Sequence, residues 1–141
     1  MKVFNPTLAL FAISACGSPD LEVSIDGGET TPSLSVMVGR TDPYTYYKDR
    51  GLRMTPEASL DSGLDVLSVR KLALRSVPRI AWQVFGSARH VTGRDIDYVH
   101  DANHVLVTSK EPFPVQVDGD SLGDHHRLDV QLAPEALWVV A

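Results

Sequence analysis

The chain has 141 residues and carries 13 Lys and Arg against 18 Asp and Glu, which gives a formal net charge of −5 at pH 7. This acidic balance argues against a nucleic-acid-binding protein, which needs a clustered basic surplus to neutralise phosphates. The single cysteine excludes an intramolecular disulfide and a multi-cysteine zinc site, while 43% apolar residues in a chain of one-domain length predict a globular core.

The first 19 residues permit two interpretations. An apolar run ends at Cys16, and residues 13–16 resemble a lipoprotein lipobox. An asparagine and a proline interrupt the run, however, and favour an amphipathic helix over residues 7–15. We therefore predict a short N-terminal helix or interdomain segment over residues 1–19, with the lipobox as the weaker alternative, followed by one domain over residues 20–141.

After residue 20 the hydrophobic pattern has the period of two that is typical of β-strands. Apolar residues alternate over 21–25 and again over 34–38, with a glycine pair between them, which predicts a β-hairpin. The mostly apolar run at 64–69 predicts a central strand. Further strands are predicted at 96–99, 104–108, 114–117, 127–132 and 136–140.

Residues 70–89 have instead the 3.6-residue period of an amphipathic helix, whose regular part is expected to begin near Ser76 because Pro78 does not fit deep inside a helix. Roughly eight strands around this helix predict a mainly β fold. The predicted architecture is a two-layer antiparallel β-sandwich with one amphipathic helix and a short N-terminal helix.

One face of the predicted helix is basic. Residues 66–94 contain six Lys or Arg and no acidic residue, and Trp82 lies on the same face as Arg75 and Arg79. Such a face suits an anionic membrane surface, where tryptophan and cations prefer the headgroup region. A solvated helix face whose cations pair with acidic neighbours such as Asp95 is the alternative.

Two stretches of the chain together resemble one family. The first is VMVGR at 36–40 followed by MTPEASLDSGLDVL at 54–67, and the second is PFPVQVDGD at 112–120 followed by LDVQLAPEALWVV at 128–140. Their order and spacing resemble the C-terminal domain of bacterial lipid kinases related to diacylglycerol kinase and sphingosine kinase. In that family a P-x-A-x-x-x-D-G-x-L-D element, a helix, a V-D-G-E element and a P-x-A-L strand follow one another.

The resemblance implies an ATP-dependent kinase that phosphorylates a lipid hydroxyl, such as that of diacylglycerol, in a cleft between two domains. The Gly-Gly-Asp-Gly loop that holds the nucleotide phosphates in the family's N-terminal domain does not occur in these 141 residues, and Asp-Gly-Gly-Glu at 26–29 has a different order at a predicted turn. We therefore expect Mg²⁺ and ATP only in the complete two-domain enzyme. By itself the chain is expected to be inactive.

The partners that follow from the resemblance are a nucleotide-binding domain or split-gene partner, a lipid substrate at a membrane surface and a possible homodimer. The expected location is cytoplasmic and peripheral at the inner membrane face. A different class of function remains open: a non-enzymatic β-sandwich lipoprotein anchored through Cys16, or a membrane-docking module that uses the basic helix.

Asp118 and Asp120 are the candidate catalytic residues. Phosphoryl transfer needs a carboxylate that accepts the proton of the attacking hydroxyl, and residues two apart in a strand face the same side. The resemblance implies that both occupy catalytic positions of the V-D-G-E element, with Asp120 as the general-base candidate in place of the usual glutamate. The alternative is an ordinary Asx-Gly hairpin turn.

Asp61 is the candidate metal ligand. The resemblance implies an acidic residue near a structural magnesium ion, and oxygen ligands suit such a hard cation. The family's D-D-G-x-L-D element is one residue shorter here and has Ser62 in its second acidic place. A turn before the strand at 64–69 is the alternative interpretation.

Overall fold

The computed structural model of the chain describes residues 2–3, 9–13, 20–71, 82 and 95–133. Within them the protein is mainly β, as predicted. The strands are β1 (Lys2–Val3), β2 (Ala9–Ile13), β3 (Leu21–Ile25), β4 (Thr31–Ser33), β5 (Ser35–Gly39), β6 (Thr45–Tyr47), β7 (Arg50–Leu52), β8 (Leu64–Val69), β9 (Ile96–Ala102), β10 (His104–Val117) and β11 (Asp120–Gln131).

Nine of these strands form one sheet, whose continuous path runs β1, β11, β10, β2, β5, β8, β9. The long strand β10 is where the sheet divides. Its first part pairs with β3 and its last part with β2, while β11 runs beside both parts. A register shift between Thr108 and Phe113 separates the two parts of β10. The sheet therefore forms two layers, and a small separate sheet contains β6 and β7.

The main core lies between the two layers. Leu21 and Val23 of β3 pack in one buried cluster with Val36 of β5 and Val66 of β8, although β3 pairs only with β4 and β10 within the described residues. Burying each such side chain contributes about 1.5–3 kcal/mol, so this cluster holds the layers together. Phe113 is the largest fully buried side chain among the described residues.

Strand β8 is buried on both faces. Leu64 and Val66 face the main core, while Leu67 packs with Met37 and Ile96 in a second cluster. A strand covered on both sides has a continuous apolar sequence instead of an alternating one. The prediction of a central strand at 64–69 is confirmed residue for residue.

The predicted N-terminal helix is wrong where the structure describes it, because residues 9–13 form β2, which pairs with β10 on one side and β5 on the other. A short apolar run gives the same sequence signal in a buried helix and in a central strand. The first hairpin also differs: β3 pairs with β4, while residues 35–39 form β5 between β2 and β8.

The predicted internal helix lies mostly outside the described residues, and so do Cys16 and the predicted strand at 136–140. Of its basic face the structure describes Lys71 and Trp82, and Trp82 is 75% exposed. In the described part of the chain, no helix has the length and apolar character needed to span a membrane.

Candidate functional site at one end of the sheet

Five strands bring the candidate residues to the same end of the sheet. The registers place Val117, Leu10, Val38, Val66 and Val99 side by side across β10, β2, β5, β8 and β9. We call the sheet end just beyond this row the rim. The rim carries Asp118, Arg40, Asp65 and His100, with Asp61 in the turn before β8. Neighbouring strands are about 4.8 Å apart, so three strand spacings, about 14 Å, separate β10 from β8.

Asp118 and Asp120 lie at the tip of the β10–β11 hairpin. Val117 pairs with Asp120, and the two residues between them have positive φ, 50° at Asp118 and 93° at Gly119. This is the geometry of a two-residue type I′ turn, which suits Asp-Gly. The chain reverses between the two aspartates, so the same-face argument for one strand does not apply to them. Both carboxylates are exposed at the rim.

Asp61 lies in an exposed turn, as in the alternative interpretation of this residue. Arg40 fixes the turn, because its Nη2 donates to the carbonyl oxygens of Leu60 at 2.6 Å and Ser62 at 2.9 Å. The described residues contain no group of three or more His, Cys, Asp or Glu side chains placed to hold a metal ion. The role of Asp61 as a metal ligand stays a prediction.

Asp65 is the most deeply buried charged group at the rim, with a side chain that is 0% exposed. Its Oδ1 lies 2.8 Å from Nδ1 of His100, and its Oδ2 accepts a hydrogen bond from the hydroxyl of Tyr98. Both oxygens of Asp65 thus have a hydrogen-bond partner within the protein.

Tyr98 links this pair to the loop before β8. Its hydroxyl oxygen accepts a hydrogen bond from the backbone N–H of Glu57 at 3.0 Å while the hydroxyl donates to Asp65. Burial raises the pKa of Tyr98 far above 10.0, and the hydrogen bond to Asp65 raises it further, outweighing the lowering by the Glu57 N–H. The hydroxyl therefore stays protonated and remains a donor to Asp65.

A β-bulge brings His100 to Asp65. Leu64 pairs with Ala102 and Val66 with Val99, so two residues of β9, His100 and Asp101, lie opposite one residue of β8. Asp101 has a φ of 62°, and its Oδ1 accepts the N–H of Gly63 at 2.6 Å. Bulges redirect side chains in this way.

Sequence reasoning missed Tyr98 and His100 as members of this cluster. The available signal was Asp65 itself, since a carboxylate within a strand that is otherwise apolar must have buried partners. His100 lies in the bulge, and a single sequence contains no signal for a bulge at this position.

The described strands define the class of the protein as a two-layer β-sandwich domain with the Asp118–Asp120 hairpin tip at one end. Residues 3–141 match the family described as YegS C-terminal NAD kinase beta sandwich-like domain. The chain belongs to this family, and the resemblance seen in the sequence is confirmed. Among curated proteins, no sequence matches the chain.

Solved structures that are similar to this chain include three from Bacillus anthracis strain Sterne. A diacylglycerol kinase structure is 17% identical with a TM-score of 0.57, and 94% of this chain covers 56% of that chain. One putative diacylglycerol kinase is 15% identical with a TM-score of 0.60, and 94% of this chain covers 58% of that chain. Another is 14% identical with a TM-score of 0.55, and 93% of this chain covers 54% of that chain. The chain thus spans little more than half the length of these proteins.

Proposed function

We propose that this chain is the acceptor-side part of an ATP-dependent lipid kinase and contributes to phosphorylation of a lipid hydroxyl such as that of diacylglycerol. The observation that carries the proposal is the family match over residues 3–141. The structural similarity at 14–17% identity supports the fold, and the names of the similar proteins suggest the substrate class.

Activity requires a nucleotide-binding domain, either in the same polypeptide or in a separate one. The similar structures are nearly twice as long as the part this chain covers. ATP and Mg²⁺ are expected to bind in the complete enzyme, because the Gly-Gly-Asp-Gly loop that holds the nucleotide phosphates in the family does not occur in these 141 residues. In this proposal the rim forms one side of the cleft between the two domains, and the nucleotide-binding domain forms the other side.

Asp118 and Asp120 are the proposed acceptor-side carboxylates. The lipid hydroxyl oxygen attacks the γ-phosphorus of ATP, the bond from that phosphorus to the β–γ bridging oxygen breaks, and the hydroxyl proton passes to a carboxylate. The exposed hairpin tip makes both aspartates accessible to a second domain and to a lipid head group. Asp120 is one methylene shorter than the family's glutamate, so Asp120→Glu is expected to raise the rate.

The complete enzyme is proposed to act at the cytoplasmic face of the inner membrane, because its lipid substrate stays in the bilayer. Two exposed apolar side chains support membrane docking: Trp82, and Leu60, which is 58% exposed. Tryptophan prefers the headgroup region of a bilayer.

The test is phosphorylation of diacylglycerol-containing vesicles by the purified chain, alone and mixed with a nucleotide-binding domain from a relative. We expect product only in the mixture, with a loss of about 100-fold or more in Asp120→Asn. Asp124→Asn, an exposed aspartate on the same hairpin, is the matched control and is expected to retain activity.

Association of the two domains is measured in the same samples by analytical ultracentrifugation. Associated domains without product would refute the kinase proposal and favour the non-enzymatic alternative, in which Asp118 and Gly119 serve only as a hairpin turn. That alternative has one observation in its favour, the type I′ geometry of the turn.

A further inference from the structure

Leu122 is an exposed apolar residue on the hairpin that carries the two candidate catalytic aspartates. It lies two residues after Asp120, about 7 Å along β11, and is 40% exposed. It is the only hydrophobic residue between Val117 and Leu128. Single exposed apolar side chains are common on protein surfaces, so a role for this one requires a further structural reason.

The local register of the hairpin supplies that reason. Gln116 pairs with Ser121 and Val115 pairs with Gly123, which leaves Leu122 without a paired residue on β10, in a β-bulge. In a regular register Leu122 would lie opposite Val115, which is 1% exposed and belongs to the main core. The bulge therefore exposes a leucine that a regular register would place beside the core.

Polar contacts and a glycine hold the bulge in this form. Nε2 of His125 lies 3.1 Å from the carbonyl oxygen of Leu122, and the backbone N–H of Gly123 donates to Oγ of Ser121 at 3.3 Å. Gly123 has a φ of 81°, in the left-handed region that favours glycine. The surrounding chain thus defines the exposed position of Leu122, and bulges of this kind redirect side chains next to active sites.

The groups beside Leu122 indicate the chemistry of a ligand. The hairpin carries three exposed carboxylates, those of Asp118, Asp120 and Asp124, which oppose the binding of an anionic head group. A carboxylate accepts a hydrogen bond from a hydroxyl, and an exposed leucine gains free energy when an apolar chain covers it. A neutral lipid with a free hydroxyl next to an acyl chain satisfies both groups.

We propose that Leu122 is a specificity-determining residue that contacts the acyl chain of the lipid acceptor, next to the hydroxyl that lies at Asp120. This role rests on the proposed function, and it adds the side chain that distinguishes an acylated glycerol from glycerol itself. The hydroxyl and the first methylene groups of the chain are only a few bonds apart, which is compatible with the two-residue spacing of Asp120 and Leu122. Binding is non-covalent and requires no ATP.

The first measurement is an NMR titration of the methyl-labelled chain with 1,2-dihexanoylglycerol, below the concentration at which this lipid aggregates. We expect saturable shifts of the Leu122 methyl groups. Leu122→Ser is expected to weaken binding about 5- to 10-fold, because it removes most of the apolar contact. Leu122→Met keeps an apolar side chain of similar volume and should bind within about 2-fold of the wild type. Both variants should fold, because the side chain they replace is exposed.

Val99→Thr is the matched control. Val99 is also an exposed apolar residue, but four strands separate β9 from β11 along the sheet, so the affinity should not change. Glycerol, which has no acyl chain, should give no saturable shift of the Leu122 methyl groups at the same concentrations. Equal affinity of wild type and Leu122→Ser would overturn the proposal. Non-saturating shifts shared by Leu122, Leu60 and Val99 would also overturn it, because they indicate unspecific contact with exposed apolar groups.

The kinase assay with the two mixed domains gives a second readout. Leu122→Ser should raise the KM for dihexanoylglycerol about 5- to 10-fold with little change in kcat, because the lost contact is present in both the ground state and the transition state. An unchanged KM in an active mixture would overturn the role of Leu122 and leave the proposed function intact. Saturable binding at Leu122 without product from associated domains would refute the kinase and leave the contact with the acyl chain.

Discussion

Nδ1 of His100 lies 2.8 Å from Oδ1 of Asp65, a carboxylate that is completely buried. This pair joins β9 to β8 at the bulge, and Tyr98 extends the network to the backbone of Glu57. Hydrogen bonds in a medium of low dielectric constant are strong, and an unsatisfied group there is correspondingly costly. The network therefore makes the loop before β8 dependent on three side chains.

Asp65→Asn tests this dependence. The amide group replaces one acceptor oxygen by a donor, which then faces either the Tyr98 hydroxyl or Nδ1 of His100. We expect the free energy of unfolding to fall by about 2–4 kcal/mol, measured by urea denaturation. Asp61→Asn, an exposed aspartate four residues earlier, is the control and should change stability by less than about 0.5 kcal/mol. Equal effects of the two substitutions would contradict the network.

Tyr98→Phe tests the pH dependence of the same network. At neutral pH the loss of the hydroxyl leaves Asp65 Oδ2 and the Glu57 N–H each without a partner, so we expect a loss of about 1–2 kcal/mol. Because the folded-state pKa of Tyr98 is raised above 10.0, its stabilising contribution is fully present below pH 10 and is lost as the pH rises further.

The wild type should therefore lose stability more steeply than Tyr98→Phe above pH 10. Urea denaturation at pH 8 and at pH 10.5 measures the difference. Equal losses of unfolding free energy in the two proteins between pH 8 and pH 10.5 would show that folding does not raise the pKa of Tyr98.

The strands could be predicted where one residue pattern corresponds to one structure. The apolar run at 64–69 forms β8, and the alternating residues at 21–25 form β3. Residues 9–13 form β2 instead of the predicted helix, because a short apolar run gives the same sequence signal in a buried strand and in a helix. The pairing of β10 with β3 and then β2 depends on contacts between distant residues, which local patterns do not encode.

Asp129 provides a test at acid pH. Burial alone would raise the pKa of Asp129, but hydrogen bonds from His104 at 2.9 Å and from Arg127 outweigh burial and lower it. The stabilising contribution is then present above the ordinary value of 3.8 and is lost as the pH falls through the lower folded-state pKa.

Asp129→Asn should reduce the free energy of unfolding by about 1 kcal/mol at pH 6 and by less at pH 2, because the stabilising contribution of the carboxylate decreases below the ordinary value of 3.8. Urea denaturation at the two pH values measures this convergence. The control is Asp124→Asn on the same strand, which is exposed and should have little effect at either pH. A constant difference between Asp129→Asn and wild type would exclude a role for the carboxylate charge.

Like the fold, the candidate site could be predicted from the sequence only in part. The positions of Asp118 and Asp120 at a strand end followed from the sequence, and so did the turn alternative, because Asp-Gly between two apolar runs is a local signal. The partners of Asp65 come from a strand more than 30 residues later, and one of them, His100, lies in a bulge in which Asp101 adopts a positive φ. That conformation costs free energy, and tertiary contacts decide whether it forms.

Gly63 gives the sharpest test of the bulge geometry. A Cβ at this position would lie 2.5 Å from the carbonyl oxygen of Ala102, a backbone atom that does not move without disturbing the β8–β9 pairing. We expect Gly63→Ala to lower the free energy of unfolding by about 3 kcal/mol.

Gly119→Ala is the matched control, because Gly119 has open space around it and only its positive φ opposes a side chain, at a cost of about 1–2 kcal/mol. Thermal and urea denaturation of the two variants give the comparison, and hydrogen exchange of the backbone amide at position 63, in wild type and variant, reports on its bond to Asp101. A smaller loss in Gly63→Ala than in Gly119→Ala would mean that β9 does not approach the turn as closely as described.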